Sequence, residues 1–269
     1  MRLNPLELTG GSFLALYGGL MVVAILASLC IPRLTRPGGW SGPMDDADHL
    51  ALLGGGPLQL VDTVVTRLLV SGALTMPTRR TFAADTRRAA SSDSERQVLA
   101  LPGPIRWRRI RSVLTPYAAR LEHELMTAGM MATPRELTRL RLHQTAPFLA
   151  LSALGGAKWL VGVARDRPVG YLTFLLILTA ILAALRWKSV DRATRAGLAT
   201  LAGARSSADR LRRAPMPEEM DMAVALFSTG VLLGSSLVAY HQLRTASSGG
   251  GGGDGDGGGC GGGCGGCGS

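Results

Sequence analysis

The chain has 269 residues, of which 46% are hydrophobic, and a formal net charge of +10. One or two soluble domains could be built from that length, but the apolar residues lie in separate dense runs, which points to membrane spans rather than to an evenly patterned soluble core. The charge rests on arginine, since Lys158 and Lys188 are the only lysines, and no reaction chemistry accompanies it.

A short amino terminus, residues 1–12, leads into the first apolar run, Phe13 to Ile31. This run suits a hydrocarbon core that takes about 20 helical residues to cross. It exceeds the usual secretory core of about 7 to 15 residues and has no A-x-A site after it, so a cleaved leader is not expected. Cys30 follows Leu29, which is too large for a lipoprotein cleavage point, and it reads as an inert thiol.

Residues 32–46 form a turn-rich linker around Pro37-Gly38-Gly39 and Gly42-Pro43. A basic domain is expected over 47–143, where sixteen Arg from Pro32 to His143 face ten Asp plus Glu. It opens with a short helix from Ala47 to Leu53, ended by Gly54-Gly55-Gly56. Pro57 suits the first position of a second helix. Leu58, Val61, Val65, Leu68 and Leu69 then give that helix one apolar face, and Gly72 closes it. Its other face, with Gln59, Asp62, Thr63, Thr66 and Arg67, is expected in solvent. Two short strands, 73–76 and 81–83, flank a Pro77-Thr78-Arg79-Arg80 turn. Helix, helix, hairpin is a winged-helix outline. Helix 117–129, ending Gly129-Met130-Met131, hints at a degenerate tandem copy, with the stretch up to Pro104 read as loop.

The next apolar runs, Pro147 to Val163 and Val169 to Leu185, form a hairpin about Arg165-Asp166-Arg167-Pro168, the second member extending to Trp187 at 169–187. Lys158, near the outer end of its span, is expected to reach the interface with its ammonium. A second basic segment, 188–221, carries eight Arg plus Lys against two Asp between Arg186 and Arg213. Basic flanks stay on the cytoplasmic side. Three spans therefore put the amino terminus outside and residues 32–143 in the cytosol of an inner (plasma) membrane, multi-pass protein. Residues 222–240 form an apolar helix long enough for a fourth span but diluted by Ser228, Thr229, Ser235 and Ser236.

Fifteen glycines fill the last twenty-one residues, 249–269, a composition that builds no core and reads as disordered. Cys260, Cys264 and Cys267 within it are weak metal or thiol-redox candidates, because cysteines scattered in polyglycine match some metal spacing easily. His49, His123, His143 and His241 stand apart without an H-E-x-x-H pattern, and neither a G-x-S-x-G elbow nor a Walker loop occurs. No enzyme and no cofactor is expected. The fold class expected is mainly α: a multi-pass helical membrane protein with a small winged-helix-like domain.

Arginines at Arg79, Arg80, Arg106, Arg108, Arg109 and Arg111 would serve beside anionic lipid. Membrane lipids and a protein partner are the expected partners. Nucleic acid is disfavoured, because the second helix of the winged-helix outline shows one cation against one anion where a groove reader shows clustered bases.

Gly54-Gly55-Gly56-Pro57, Val61-Asp62-Thr63 and Gly72-Ala73-Leu74, with the hairpin residues Lys158, Arg165, Arg167, Pro168 and Gly170 and the later Thr194-Arg195-Ala196-Gly197, resemble the motifs of an uncharacterised bacterial, actinobacteria-like family of membrane proteins. Its members carry a Gly/Cys-rich tail. The resemblance implies a membrane location and no established activity. The expected role, read from the residues, is a non-enzymatic, membrane-anchored scaffold or interaction module. A membrane-tethered transcription regulator and a metal or thiol-redox protein are the alternatives.

Overall fold

The computed structural model describes residues 10–35, 37–39, 44–85, 87–164 and 170–249. It is mainly helical with a small three-stranded sheet. In chain order the elements are α1 (Gly10–Thr35), α2 (Ala47–Val70), β1 (Leu74–Thr78), β2 (Thr81–Ala84), α3 (Asp93–Leu99), β3 (Ile105–Arg106), α4 (Trp107–Thr127), α5 (Pro134–Ala164), α6 (Gly170–Lys188), α7 (Arg195–Ser207), α8 (Asp209–Arg213), α9 (Met220–Phe227) and α10 (Val238–Gly249). They divide into two compact units.

The first unit is a bundle of α1, α5 and α6, and these three helices are long and apolar enough to cross a membrane. Phe13, Tyr17, Leu151 and Leu172 fill its interior. Val22, Val23, Leu26, Phe174, Ile177, Ile181 and Leu185 face outward, an apolar exterior that lipid tolerates and water does not. Tyr17 donates to Thr179 Oγ1 at 3.0 Å, since that hydroxyl's own proton goes to the Leu175 carbonyl. Trp159 Nε1 donates to Thr173 at 3.0 Å. The Lys158 ammonium lies 5.3 Å from the Phe13 ring centroid, so a residue expected to reach the interface sits over an aromatic face. A Cβ on Gly155 would come within 2.7 Å of the Tyr17 ring and 2.9 Å of Leu176, so this glycine sets how closely the helices approach. The pairs Tyr17–Thr179 and Arg186–Ser28 show α1 and α6 running parallel, with α5 antiparallel to both.

α5 begins well before the expected span start at Pro147. Thr133 accepts from Glu136 N at 3.4 Å while the Glu136 carboxylate accepts from Thr133 N at 2.8 Å, a reciprocal cap followed by Pro134 in the first turn. The expected domain limit at residue 143 is therefore corrected, because residues 134–143 are helix of the bundle unit.

The second unit draws on both sides of the hairpin: the described residues within 38–132 and 192–249. Its spine is α2, kinked where Gly56 takes φ 70, so that residues before the glycines and from Pro57 onward form two helical arms. That kink matches the expected stop and restart. α9 packs along α2, and α4 covers it with a stripe of Ile110, Leu114, Ala118, Leu121 and Leu125. This stripe starts the helix at Trp107, ten residues before the expected Tyr117. The sheet order is β1-β2-β3, antiparallel, with Thr75 opposite Ala83, Thr81 opposite Arg106 and Phe82 opposite Ile105. Leu74, Phe82 and Ile105 are its buried members.

β2 falls on the strand expected at 81–83, but the stretch after it, expected as loop up to Pro104, contains α3, which Ser92 caps by accepting from Glu95 N at 3.3 Å. Because α3 and β3 follow the hairpin, the order α2-β1-β2-α3-β3-α4 departs from the simple helix, helix, hairpin outline. The tandem echo reduces to a shared ending: Gly72 and Gly129 both take φ 70 after a helix.

The apolar run 222–240 is not one helix. α9 ends at Phe227, Ser228 takes φ 64, a 3-10 helix covers Thr229–Gly234, and α10 follows. Its chain break is stabilised by side chains: Gln59 donates to the carbonyls of Val224 at 3.1 Å and Ala225 at 2.6 Å, and Arg205 to that of Leu226 at 2.9 Å. Ala223, Val224, Ala225 and Leu226 are buried in the core of this unit, which accounts for their apolar character without a fourth span.

Candidate functional site

The polar side of α2, expected in solvent, is instead where the second unit concentrates its charge. Asp62, Thr63 and Thr66 are buried. Thr63 and Thr66 return their hydroxyls to the carbonyls four residues back, at 2.9 and 2.7 Å. Arg67 reaches three carboxylates from three elements: Asp48 at 2.8 Å, Asp221 at 2.8 Å and Glu95 at 3.9 Å. Asp48, 2% exposed, also accepts from Tyr117 at 2.9 Å and Ser94 at 3.5 Å. These anions hold the Arg67 guanidinium above its ordinary range against the opposing effect of burial. Burial, and then Asp48, push the Tyr117 phenol up. A charge held this way is locked: removing one member leaves the others buried and uncompensated.

A second group lies one turn back on α2. Asp62 accepts from Arg244 Nε at 2.6 Å and from Tyr240 at 2.6 Å. Trp107 Nε1 donates to the Tyr240 oxygen at 3.3 Å, and the Arg244 guanidinium stacks 3.9 Å from the Trp107 ring centroid. Burial raises the Asp62 carboxyl despite the pull of Arg244 and Tyr240. Burial also raises the Tyr240 phenol. This group fastens α10 to α2 and α4, with Phe82 edge-on to Tyr240 at 6.0 Å beneath it.

Near the start of α2, His49 bonds the N-cap residue Asp46 and lies 3.2 Å from Glu124 of α4. The Asp46 hydrogen bond raises the His49 imidazole, and the same bond lowers the Asp46 carboxyl. Among the described residues no group of His, Cys, Asp and Glu is arranged to hold a metal ion.

The motif positions fall into place unevenly. Gly55 lets the Gln59 side chain fold back over it towards α9, and Pro57 restarts the helix. Gly54 rests against Leu201 and Arg205 of α7. Asp62 anchors α10, and Gly72 turns the chain into β1. Thr194 caps α7 by accepting from Gly197 N at 3.1 Å, while its hydroxyl lies 2.8 and 3.0 Å from the Gly129 and Met130 carbonyls. Gly170 begins α6. Arg165, Arg167 and Pro168, like Cys260, Cys264 and Cys267, lie outside the described residues.

Sequence reasoning missed the passage through which the chain leaves and re-enters this unit. Met131 pairs with Ala193 in an antiparallel bridge, Ala132 N donates to Arg192 O at 2.8 Å, and Thr194 N donates to Met130 O at 3.0 Å. Gly38, reached from α1, accepts from Ala196 N at 2.9 Å beside them. Three crossings of the chain thus gather at one neck.

At the other end of α4 the surface is basic. Arg79 and Arg80 form the hairpin tip, Arg106 lies opposite Thr81, and Arg108 and Arg109 open α4; all five are exposed and have no carboxylate partner among the described residues. No protein-family profile matches the chain, and no curated protein or solved structure matches it.

Proposed function

We propose that this chain is a multi-pass protein of the plasma membrane whose cytosolic unit is a non-enzymatic docking module. The observation that carries the reading is the division of charge in that unit. Its buried ions are matched among themselves around Arg67 and Asp62, whereas Arg79, Arg80, Arg106, Arg108 and Arg109 stay exposed with no carboxylate partner among the described residues. A folded core with an unneutralised basic surface, tied to apolar helices, suits capture of an acidic partner at the membrane. The excess of arginine beside the spans supports the cytosolic side for this unit and the outside for the amino terminus.

Reversing Arg79, Arg80, Arg108 and Arg109 to Glu in the full chain should release a crosslinked protein partner while leaving the chain in the membrane fraction. Retention of every partner would overturn the docking role. Membrane-impermeant maleimide should leave intact cells unlabelled and label inverted vesicles; labelling of intact cells would reverse the orientation.

The same arginines favour a second reading, a membrane-tethered regulator with a winged-helix-like unit, because a basic hairpin tip beside a helix start fits a phosphate backbone. Binding of duplex DNA by the detergent-purified chain would then fall steeply with salt. Absence of binding at low salt ends that reading.

A further inference from the structure

The end of the three-helix bundle carries cationic groups that nothing in the docking role uses. Arg186 donates from Nη2 to the Ser28 carbonyl at 2.6 Å, yet its Nε is enclosed with no partner. The Arg141 guanidinium lies 6.0 Å from the Trp187 ring centroid, and its Nε is likewise enclosed and unpartnered. Gln144, 4% exposed, has a buried Oε1 with no hydrogen-bond partner. Followed along the helices from Trp159–Thr173 and from Gly155–Tyr17, the antiparallel registers bring Gln144 level with Ser28 and Arg186. Neither arginine has a carboxylate partner among the described residues. Two buried guanidinium donors and one amide acceptor left unpaired at one level are costly in a protein interior.

We infer that Arg141, Arg186 and Gln144 form a site for the phosphate-bearing headgroup of an anionic phospholipid, phosphatidylglycerol being the fitting class. A phosphodiester offers a negative charge and several acceptor oxygens, which two guanidinium groups satisfy together. A headgroup hydroxyl supplies the donor that Gln144 Oε1 lacks. Trp187 stands where aromatic rings meet the headgroup layer, and basic pockets between membrane helices take such lipids. The inference rests on the membrane reading given above.

The full-length protein in mild detergent, titrated in native mass spectrometry with phosphatidylglycerol, phosphatidylcholine or inorganic phosphate, tests it. Phosphatidylglycerol should be retained over phosphatidylcholine. Arg141→Gln and Arg186→Gln should each weaken it about five-fold, the factor that about 1 kcal/mol per cation near the surface corresponds to. Arg135→Gln, on the exposed start of α5, should leave it unchanged. Equal retention by the Arg141 and Arg186 variants, or no preference over phosphatidylcholine, overturns the site, and inorganic phosphate competing as well as the lipid replaces the lipid with a free anion. Sedimentation of membranes from the same cells separates the two readings. Wild-type chain in the membrane pellet without lipid retention sinks the site alone, whereas wild-type chain in the detergent-free supernatant sinks the membrane reading itself.

Discussion

His49 shows how one side chain ties two parts of the second unit. Its partners, Asp46 of the α2 cap and Glu124 of α4, are both acidic, and the hydrogen bond to Asp46 is the main reason its imidazole is raised. A histidine whose folded value exceeds its ordinary value of about 6.5 contributes stability that is complete below that value and is lost as pH rises through the raised one. The thermal midpoint of the purified protein should therefore decline as pH rises above the ordinary imidazole value of about 6.5, and His49→Gln should flatten that stretch of the profile. An unchanged slope in the variant would mean that the imidazole gains nothing from its two carboxylates. The sequence disclosed the helical period around this residue but not its partner 75 positions on. Likewise Asp62 and Arg67 looked like solvent residues because the groups that cover them, Arg244 and Asp221, lie far along the chain.

Among the elements, those stabilised by local chemistry were legible and those stabilised by remote chemistry were not. The Gly54-Gly55-Gly56-Pro57 break, the hairpin about Arg79-Arg80 and the three apolar helices follow from glycine and proline conformation and from hydrophobic runs. The caps Ser92–Glu95 and Thr133–Glu136 are S-x-x-E and T-x-x-E patterns, local signals of α3 and of the start of α5 that a reading of loop up to Pro104 and of a span from Pro147 passes over. α9 is different, since its ending depends on Gln59 and Arg205 meeting its last carbonyls. So does the start of α7 depend on a distant surface: a Cβ on Gly197 would run into the Met130 carbonyl. Gly197→Ala should destabilise the second unit by about 1–3 kcal/mol, the range for overpacking a closed site. Denaturant unfolding would register this as a lower midpoint with an unchanged slope, and an unaltered midpoint would show that the neck opens at no cost.

For the whole molecule, the informative fact is that the bundle's α5 and α6 interrupt a unit that is otherwise continuous in space. The bridge Met131–Ala193 and the bond from Ala132 to Arg192 bring the cut ends side by side. A chain beginning at residue 38, with residues 133–191 replaced by a short Gly-rich turn, should consequently fold without membranes and unfold in one cooperative transition. Aggregation of that chain under conditions where the parent is stable would show that the unit depends on the bundle. The expected boundary at residue 143 failed because composition reports solvent preference, and a helix that starts polar and becomes apolar, as α5 does, has no compositional edge where it begins.

The neck also orders events during synthesis. When the ribosome has delivered residues up to Ala132, α2 and α4 are complete but lack α9, so their facing surfaces remain open until residues beyond Arg192 emerge. If α5 and α6 both span the membrane, as proposed above, those residues return to the same compartment only after both helices have crossed. On the proposed topology, a hairpin lodged with one crossing would leave the two halves of the unit on opposite sides of the membrane, where the core that α9 completes on α2 could not close.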